Sequence, residues 1–304
     1  MRILVTGGAG FIGSHIVEQF HDRAEVRVLD DLRTGRYENI EEFNVNMIRG
    51  SILDTELLEA AMDRVDYVFH LAAMISVPES IGNPIECVRI NSEGTLAVLE
   101  AATRAGVKKL CFSSSAAVYG DNPAVPKLET MLPEPKSPYA VTKLDGEFYC
   151  RMYTDGGRLP TACLRYFNVF GPRQNLNGQY AAAVPIFVNK AVRNEAVTIF
   201  GDGEQTRDFI FVKDIVAANQ HLMMSNCTGV YNVAYGGRMT IIELARRIIE
   251  LTGSTSRINY AEPRPGDIKH SMAAIERLLA TGFSIGSDFE SGLGKTIEYF
   301  HNNA

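Results

Sequence analysis

Tyr139 and Lys143 set a phenol and an ammonium four residues apart, on one face of a helix where the segment is helical. Ser137-Pro138 just before them is a suitable helix entry, and an upstream apolar run closes on Ser113-Ser114-Ser115. Near the start of the chain, Thr6-Gly7-Gly8-Ala9-Gly10-Phe11-Ile12-Gly13 places glycines at 7, 10 and 13, where an apolar run hands over to a helical pattern. Such glycines let the turn tighten, let backbone N–H groups approach a pyrophosphate, and let helix pack closely on strand. Asp30 ends the second apolar run; a carboxylate there accepts hydrogen bonds from an adenosine ribose and repels a 2′-phosphate, which favours NAD over NADP. Arg33 is the one neighbour that weakens this preference. Taken singly, each signal has a plainer explanation: a turn that is only a turn, a surface tyrosine beside an ion-paired lysine, a solvated arginine. Their order along the chain argues against coincidence.

The elements that must hold these residues alternate. Short apolar runs at 3–5, 26–29, 47–48, 67–72, 110–113 and 163–167 read as strands, separated by helical stretches such as 11–20, 55–61 and 91–105. Near-continuous apolar strands between helices predict an α/β fold: a doubly wound, Rossmann-like parallel sheet covered on both faces. After Phe170 the chain turns polar and turn-rich, which predicts a smaller α/β substrate-binding lobe with helices near 182–194 and 240–251. A further strand at 230–233 interleaves the two. The expected division is 1–168 for the dinucleotide-binding domain, with a returning segment at about 208–240, and 169–207 with 241–304 for the lobe.

With 304 residues, 46% hydrophobic and 22% charged, the chain can bury a full core. Thirty Lys and Arg against 36 Asp and Glu give a net charge of −6, and the basic residues are scattered, so neither nucleic acid nor a membrane surface is an expected partner. Cys87, Cys111, Cys150, Cys163 and Cys227 are odd in number and widely spaced. They imply neither a disulfide framework nor a metal site, and fit a reducing cytoplasm. The N-terminus enters a strand directly, with no signal peptide pattern and no apolar run long enough to span a bilayer.

Together these motifs resemble the extended short-chain dehydrogenase/reductase family and, within it, the UDP-hexose 4-epimerases. The likeness covers essentially the whole chain: the glycine turn, His70-Leu-Ala-Ala73, Asn91-Ser-Glu-Gly-Thr95, Ser113-Ser-Ser-Ala-Ala-Val-Tyr-Gly120, Tyr139 with Lys143, Leu164-Arg-Tyr-Phe-Asn-Val-Phe-Gly-Pro172, Gly201-Asp-Gly-Glu-Gln-Thr-Arg-Asp-Phe209 and Arg264-Pro-Gly-Asp267. The resemblance implies bound NAD and a UDP-sugar substrate. It assigns catalysis to Ser115, Tyr139 and Lys143, and cofactor contacts to Gly7, Gly10, Phe11, Ile12, Gly13, Asp30, Ser51, Ile52, Leu71, Ala72, Ala73, Asn91, Ser113, Tyr139, Lys143 and Tyr166. Substrate contacts fall to Ser115, Tyr139, Asn168, Ala182, Ala183, Arg207, Arg264, Asp267 and Ser271. Tyr139 would take the proton of the sugar 4-hydroxyl, with Ser115 hydrogen-bonded to O4, as hydride leaves C4; the 4-keto sugar would turn and take the hydride back on its other face. A free phenol titrates near 10, so a base at neutral pH needs a shift of roughly 3 units, about 4 kcal/mol, which Lys143 and the nicotinamide charge would supply.

Nucleotide-sugar dehydratases of this family carry an Asp-Glu pair just after the catalytic Ser or Thr, where this chain has Ala116 and Ala117, so dehydration is disfavoured. Ser271 occupies the position that, in the epimerases resembled, borders the substituent at sugar C2; a small residue there admits an N-acetyl group, and Ala182 and Ala183 would form the other wall. The expected activity is therefore 4-epimerisation of UDP-N-acetylglucosamine and UDP-N-acetylgalactosamine as well as UDP-glucose and UDP-galactose. The alternatives are an enzyme restricted to plain hexoses, or another nucleotide-sugar enzyme such as a uronic acid 4-epimerase or a dehydratase. Ile75 stands where some epimerases carry a lysine near the nicotinamide. A homodimer is expected through the helices at 91–105 and 139–153.

Overall fold

Strands that read as unbroken apolar runs bury both faces, and the first half of the chain folds as that rule requires. The computed structural model describes residues 1–176, 182–263 and 269–303. In chain order, β1 (Arg2–Thr6), α1 (Phe11–Phe20), β2 (Glu25–Asp30), β3 (Asn46–Arg49), α2 (Thr55–Met62) and β4 (Tyr67–His70) lead into α3 (Val77–Gly82), α4 (Pro84–Val88), a π-helical turn (Arg89–Glu93) and α5 (Gly94–Arg104). Then follow β5 (Lys109–Ser115), a 3-10 turn (Ala116–Tyr119), α6 (Pro138–Asp155), β6 (Thr161–Tyr166), β7 (Asn168–Phe170) and α7 (Ala183–Val192). The remainder runs β8 (Val197–Phe200), β9 (Thr206–Arg207), β10 (Phe209–Phe211), α8 (Val212–Met224), β11 (Gly229–Val233), β12 (Met239–Thr240), α9 (Ile241–Thr252), β13 (Ile258–Ala261), α10 (Glu276–Leu279) and α11 (Phe289–Asn302).

Two compact units share the chain. The first draws on Met1–Gly120, Leu132–Tyr166 and Val216–Tyr231, the second on Asp121–Met131, Phe167–Ile215 and Asn232–Ala304. The first contains a seven-stranded sheet of order β11-β6-β5-β4-β1-β2-β3, with parallel pairing from β3 through β6. The order reverses between β1 and β4, and in such sheets ligands bind beyond the carboxyl ends of the strands at that switch. Thr6 aligns with Leu29 and His70, and His70 with Phe112, so Gly7, the loop at 71–73 and the Ser113–Ser115 triplet all emerge at one edge. One face of the sheet is covered by α2, α5 and α6 through a core that includes Leu4, Leu29, Leu58, Val68, Leu99, Leu110 and Phe112.

The helix ends are chemically marked. Asp54, Ser76, Ser137 and Asp288 accept from N–H groups in the first turns of α2, α3, α6 and α11, and Thr240 with Glu243 forms a capping box on α9. At its other end α8 is closed by a lysine: the buried Lys109 ammonium of β5 donates to the carbonyls of Leu222 at 2.5 Å, Ser225 at 2.8 Å and Cys227 at 2.5 Å. Leu222 lies in the last turn of α8 and Ser225 and Cys227 just beyond it, so the cation opposes the negative end of the helix dipole and satisfies acceptors of the turn that follows. All five cysteines are free thiols. Among the described residues no helix is long and apolar enough to cross a membrane.

In the second unit β7 pairs with β10, β12 with β9, and β13 with β8, while α7 packs against α9 and α11. Asp208, fully buried, accepts from the backbone of Tyr235 at 3.0 Å, Gly236 at 3.2 Å and Ala273 at 3.0 Å, and burial raises its carboxyl to about 6. Five helices outrun the sequence reading: α3, α4, α8, α10 and α11. The stretch read as one helix over 91–105 begins instead as the π-helical turn, which holds Asn91 one residue off α-helical register.

His70 ties sheet to helix. Its ring hydrogen-bonds Thr6 Oγ1 at 2.7 Å through Nδ1 and Thr95 Oγ1 of α5 at 3.0 Å through Nε2. Burial, then the nearby Lys143 ammonium, pushes the imidazole down to about 3, so the ring is neutral at working pH.

Two predictions follow from these ties. Lys109→Met removes three acceptor contacts at once and is expected to cost about 2 kcal/mol, read as a lower denaturation midpoint and faster amide exchange at 220–228. Between pH 6.5 and 3 the unfolded chain binds a proton that His70 refuses in the folded state, so stability falls as pH drops through that window, at up to about 1.4 kcal/mol per pH unit. The difference in stability between wild type and His70→Gln should be flat above pH 6.5 and slope below it; a difference independent of pH would show that the ring takes up its proton as readily folded as unfolded.

Candidate active site

The first helix starts without a side-chain cap. Gly10 is its N-cap, and Phe11, Ile12 and Gly13 carry first-turn N–H groups that have no acceptor within the helix. That arrangement is the positive pole of the helix dipole presented as backbone donors, which suits an anionic phosphate. Two glycines make the turn possible. Gly7 adopts φ +73°, and a Cβ on it would lie 2.7 Å from the Ala72 amide nitrogen. A Cβ on Gly13 would lie 2.1 Å from the Gly7 carbonyl oxygen. Both obstacles are backbone, so neither can yield cheaply, and β1, α1 and the loop after β4 are brought to the same point.

Asp30 is held at the carboxyl end of β2. Its Oδ2 accepts from Ala9 N at 2.9 Å and its Oδ1 from Leu32 N at 2.8 Å. Burial raises its carboxyl and those two amides pull it back. Each oxygen keeps a second lone pair, as a ribose diol requires. Arg33, the residue that could favour a 2′-phosphate, is committed elsewhere: its guanidinium meets Glu79 at 2.7 Å and Glu86 at 3.7 Å. Nearby, Ser51 Oγ accepts from Leu53 N at 3.2 Å, Ile52 is buried, and Leu71 N and Ala72 N donate to Thr6 O and Oγ1. The uncapped helix start, the glycine cradle and the lone pairs on Asp30 fit a dinucleotide lacking a 2′-phosphate.

At the end of β5 and the start of α6 the candidate reacting groups come together. The half-buried Tyr139 has its phenol facing the Ser115 hydroxyl, which pulls its titration down against the effect of burial. Ser115 Oγ also accepts from Ala117 N at 3.1 Å, capping the 3-10 turn. Ser80 of α3 accepts from Tyr139 N at 3.2 Å and so fixes the start of α6. Lys143, one turn further on, donates to the Ser113 carbonyl at 2.8 Å, and its ammonium lies 5.8 Å from the centre of the Tyr139 ring. Burial brings the lysine down to about 8. The sequence reading asks Lys143 and the nicotinamide charge together to make the phenol acidic; in the protein without cofactor Lys143 is not among the causes that shift Tyr139. Burial dominates and pushes Tyr139 up, with the Ser115 hydroxyl pulling the other way. Positive charge for the phenolate must therefore come from the oxidised cofactor in addition to the lysine.

Two residues assigned to the cofactor by resemblance are occupied within the protein. Asn91 Oδ1 accepts from Met74 N at 2.7 Å, while its Nδ2 donates to Met74 O and Thr142 Oγ1, each at 3.0 Å. It braces the loop after β4 against α6. Tyr166 OH accepts from Ser113 Oγ at 3.2 Å and from Asn219 Nδ2 at 2.8 Å, linking β5, β6 and α8. Sequence reasoning missed Ser80, Asn219, and the buried pair of Glu147 and Arg165. The last carried a visible signal: Arg165 interrupts an apolar strand, and Glu147 follows Lys143 by one helical turn.

Within the second unit, Asn168 N and Nδ2 both donate to Asp208 O at 3.2 Å. Arg207 Nη1 donates to Thr206 O at 2.9 Å, and Ser271 N to the same carbonyl at 3.1 Å, so Arg207 and Ser271 flank one residue of β9. Ala182 is the N-cap of α7 and Ala183 its first residue. Arg264 and Asp267 lie outside the described residues.

Comparison with known proteins agrees with this geometry. The profile of the NAD-dependent epimerase/dehydratase family matches residues 3–234. The UDP-N-acetylglucosamine 4-epimerase of Methanobrevibacter ruminantium, solved with UDP-N-acetylmuramic acid, is 42% identical, with a TM-score of 0.97 over 100% of this chain and 99% of that one. The UDP-glucose 4-epimerase of Thermotoga maritima, solved with UDP-glucose, is 39% identical with a TM-score of 0.95 over the same shares of the two chains. That of Thermus thermophilus, solved with NAD, is 38% identical with a TM-score of 0.92 over the whole of both chains. The chain belongs to the NAD-dependent epimerase/dehydratase family, and NAD is its cofactor.

Proposed function

We propose that the protein is an NAD-dependent UDP-sugar 4-epimerase whose acid–base group is Tyr139, and that it accepts 2-acetamido sugars as well as plain hexoses. The observation that carries this reading is the placement of the Tyr139 phenol facing Ser115, on the helix whose Lys143 is tied to the Ser113 carbonyl, with Ala116 and Ala117 following Ser115. Alanine moves no proton, so the residues that would eliminate water from the sugar are missing at those two places.

NAD, when bound, supplies a hydride acceptor and donor at its nicotinamide ring. The protein does the rest. Phe11, Ile12 and Gly13 present amides to the pyrophosphate, and Asp30 accepts from the adenosine ribose. Ser115 holds the sugar O4 by a hydrogen bond, while Tyr139 takes the hydroxyl proton as the C4–H bond breaks and returns it once the 4-keto sugar has turned over. Lys143, neutralising near pH 8, holds charge beside the phenol on the acid side of that value and keeps ammonium protons free for a ribose hydroxyl. For the nucleotide, Arg207 offers a guanidinium fork to the diphosphate, with Asn168 as a further donor. Arg264 is assigned to the same diphosphate and Asp267 to the uridine ribose on their sequence positions.

Acceptance of an acetamido group rests on Ser271, Ala182 and Ala183, all small, as the neighbours of sugar C2. The 42% identical M. ruminantium relative, named a UDP-N-acetylglucosamine 4-epimerase, supports this choice, and the T. maritima enzyme supports turnover of UDP-glucose.

We also assign a homodimer to the exposed apolar stripe of α6, Val141, Phe148 and Met152, spaced seven and four residues apart, with Ile85 and Val88 of α4. The apolar side chains of α5 that face inward, Val98 and Leu99 among them, belong to the core, so the contact surface of that helical run lies on the amino side of Asn91.

Three measurements test these assignments. Tyr139→Phe, with NAD still bound, should lower kcat by about 10²- to 10⁴-fold with UDP-glucose, and unchanged turnover would reject the acid–base reading. Wild type should epimerise both UDP-glucose and UDP-N-acetylglucosamine, whereas Ser271→Tyr should lose about 100-fold on the acetamido sugar alone; equal effects on both sugars would remove Ser271 from the C2 pocket. Phe148→Asp should halve the mass found by light scattering, and a wild-type monomer would refute the stripe as a subunit contact.

A further inference from the structure

Beneath the reacting groups lies a charge pair that takes no part in the chemistry described above. Glu147 of α6 and Arg165 of β6 each leave only 4% of the side chain exposed. They join as a two-pronged fork, Nε to Oε1 at 2.8 Å and Nη2 to Oε2 at 2.7 Å. Ser114 Oγ of β5 donates to the same Oε1. The Arg165 guanidinium stacks 4.8 Å from the centre of the Tyr119 ring, in the 3-10 turn that Ser115 caps. One cluster thus touches α6, β5, β6 and the turn after β5.

The pattern of the strands explains why these residues meet. Ser114 and Arg165 are register partners, so their side chains share one face of the sheet, the face against which α6 packs. Glu147 follows Lys143 by four residues and Tyr139 by eight, so it lies on the same helical face, about 12 Å along the axis from the phenol-bearing residue. Besides the approach of Tyr139 to Ser115, two polar ties bind α6 to β5. Lys143 to the Ser113 carbonyl uses a reacting residue; Glu147 to the Ser114 hydroxyl does not.

Stability gives a weak reason for such a pair. Removing two charges from water is costly, and apolar residues of like volume often serve the fold as well or better. Geometry gives a stronger one. The phenol arrives on a helix and its hydroxyl partner on a strand, and the contact tolerates little sliding of one on the other. A directional, two-pronged bond fixes both the distance and the rotation of the helix, whereas apolar packing fixes mainly the distance.

We propose that Glu147, Arg165 and Ser114 form a positioning clamp that sets α6 against β5 so that the Tyr139 phenol meets the Ser115 hydroxyl. The inference rests on the reading of Tyr139 as the acid–base group, and its members, all buried, are positioning residues that act through Tyr139 and Ser115.

Two variants separate positioning from support of the fold. Ser114→Ala removes the strand tie and strands no charge; Glu147→Met with Arg165→Met removes the pair at nearly constant volume. Each is measured with NAD bound, with UDP-glucose as substrate, alongside Tyr139→Phe. Both variants should lower kcat by about tenfold or more, as misplacement of reacting groups does, with KM within about twofold of wild type. The ultraviolet ionisation difference against Tyr139→Phe isolates the Tyr139 phenol in the cofactor-free protein, where it faces Ser115, Lys143 and Cys87. Its midpoint should rise in both variants as the Ser115 hydroxyl, which lowers it, draws away from the phenol. The thermal midpoint of the double variant should hold or rise. Unchanged kcat and phenol midpoint in Ser114→Ala would overturn the clamp, whether or not the double variant folds, as would a kcat loss that merely tracks a fall in thermal midpoint. Should Tyr139→Phe keep its turnover, the acid–base reading fails instead, and the phenol titration still decides whether the clamp sets the contact.

Discussion

A phenol buried in protein resists ionisation, and the site is built around that resistance. Tyr139 is pushed up by desolvation and met by one hydroxyl, Ser115, which favours its ionised form. Neither residue could find the other without the parallel sheet. Ser115 is delivered by the last residue of β5, Tyr139 by the second residue of a helix whose start is pinned three ways: by the Ser137 cap, by Pro138 in the first turn and by the Ser80 hydroxyl on the Tyr139 amide. The strand order supplies the remainder, because the reversal between β1 and β4 opens space above the same edge at which the triplet ends.

The charges around that edge are kept sparse. His70 is neutral, Arg33 is tied to glutamates, and Asp30 is bound by two amides. Backbone dipoles at the start of α1 therefore do much of what side-chain cations would do elsewhere, and they do it without competing for a proton. Lys143, softened to about 8 by its own burial, stands close to the working range in which a small change of surroundings alters its charge. A bound cofactor would meet a site whose electrostatics are largely set by fixed backbone geometry.

Much of this was legible in the sequence. The glycines at 7, 10 and 13, Asp30, the serine triplet and the Tyr139/Lys143 pair each depend on local spacing, and local spacing is what a chain displays. Strand runs were readable because burial on both faces removes the need for polar alternation. What escaped depends on distant partners. Asn91 looks like a cofactor ligand within its motif, yet its amide is taken up by Met74 and Thr142. Ser80 lies in a short helix whose periodicity is too brief to read, and its contact is with the backbone of a residue 59 positions away. The desolvation that pushes Tyr139 up has no signature in residue spacing, so the sequence shows the lysine beside the phenol but not the opposing effect of burial. Arg165 and Glu147 showed themselves only as charges in apolar surroundings, and their pairing is tertiary.

The segments of the two units alternate along the chain, each unit drawing on three of them. During synthesis, then, the amino-terminal sheet emerges from the ribosome incomplete: β1 to β6 precede by some sixty residues the strand that flanks β6. Until Asn219 emerges, Tyr166 and Ser113 lack the third member of their network, and the carbonyls that Lys109 covers do not yet exist. A nascent chain halted at residue 200 would hold the serine triplet, the phenol and the lysine, together with an open sheet edge suited to chaperone capture.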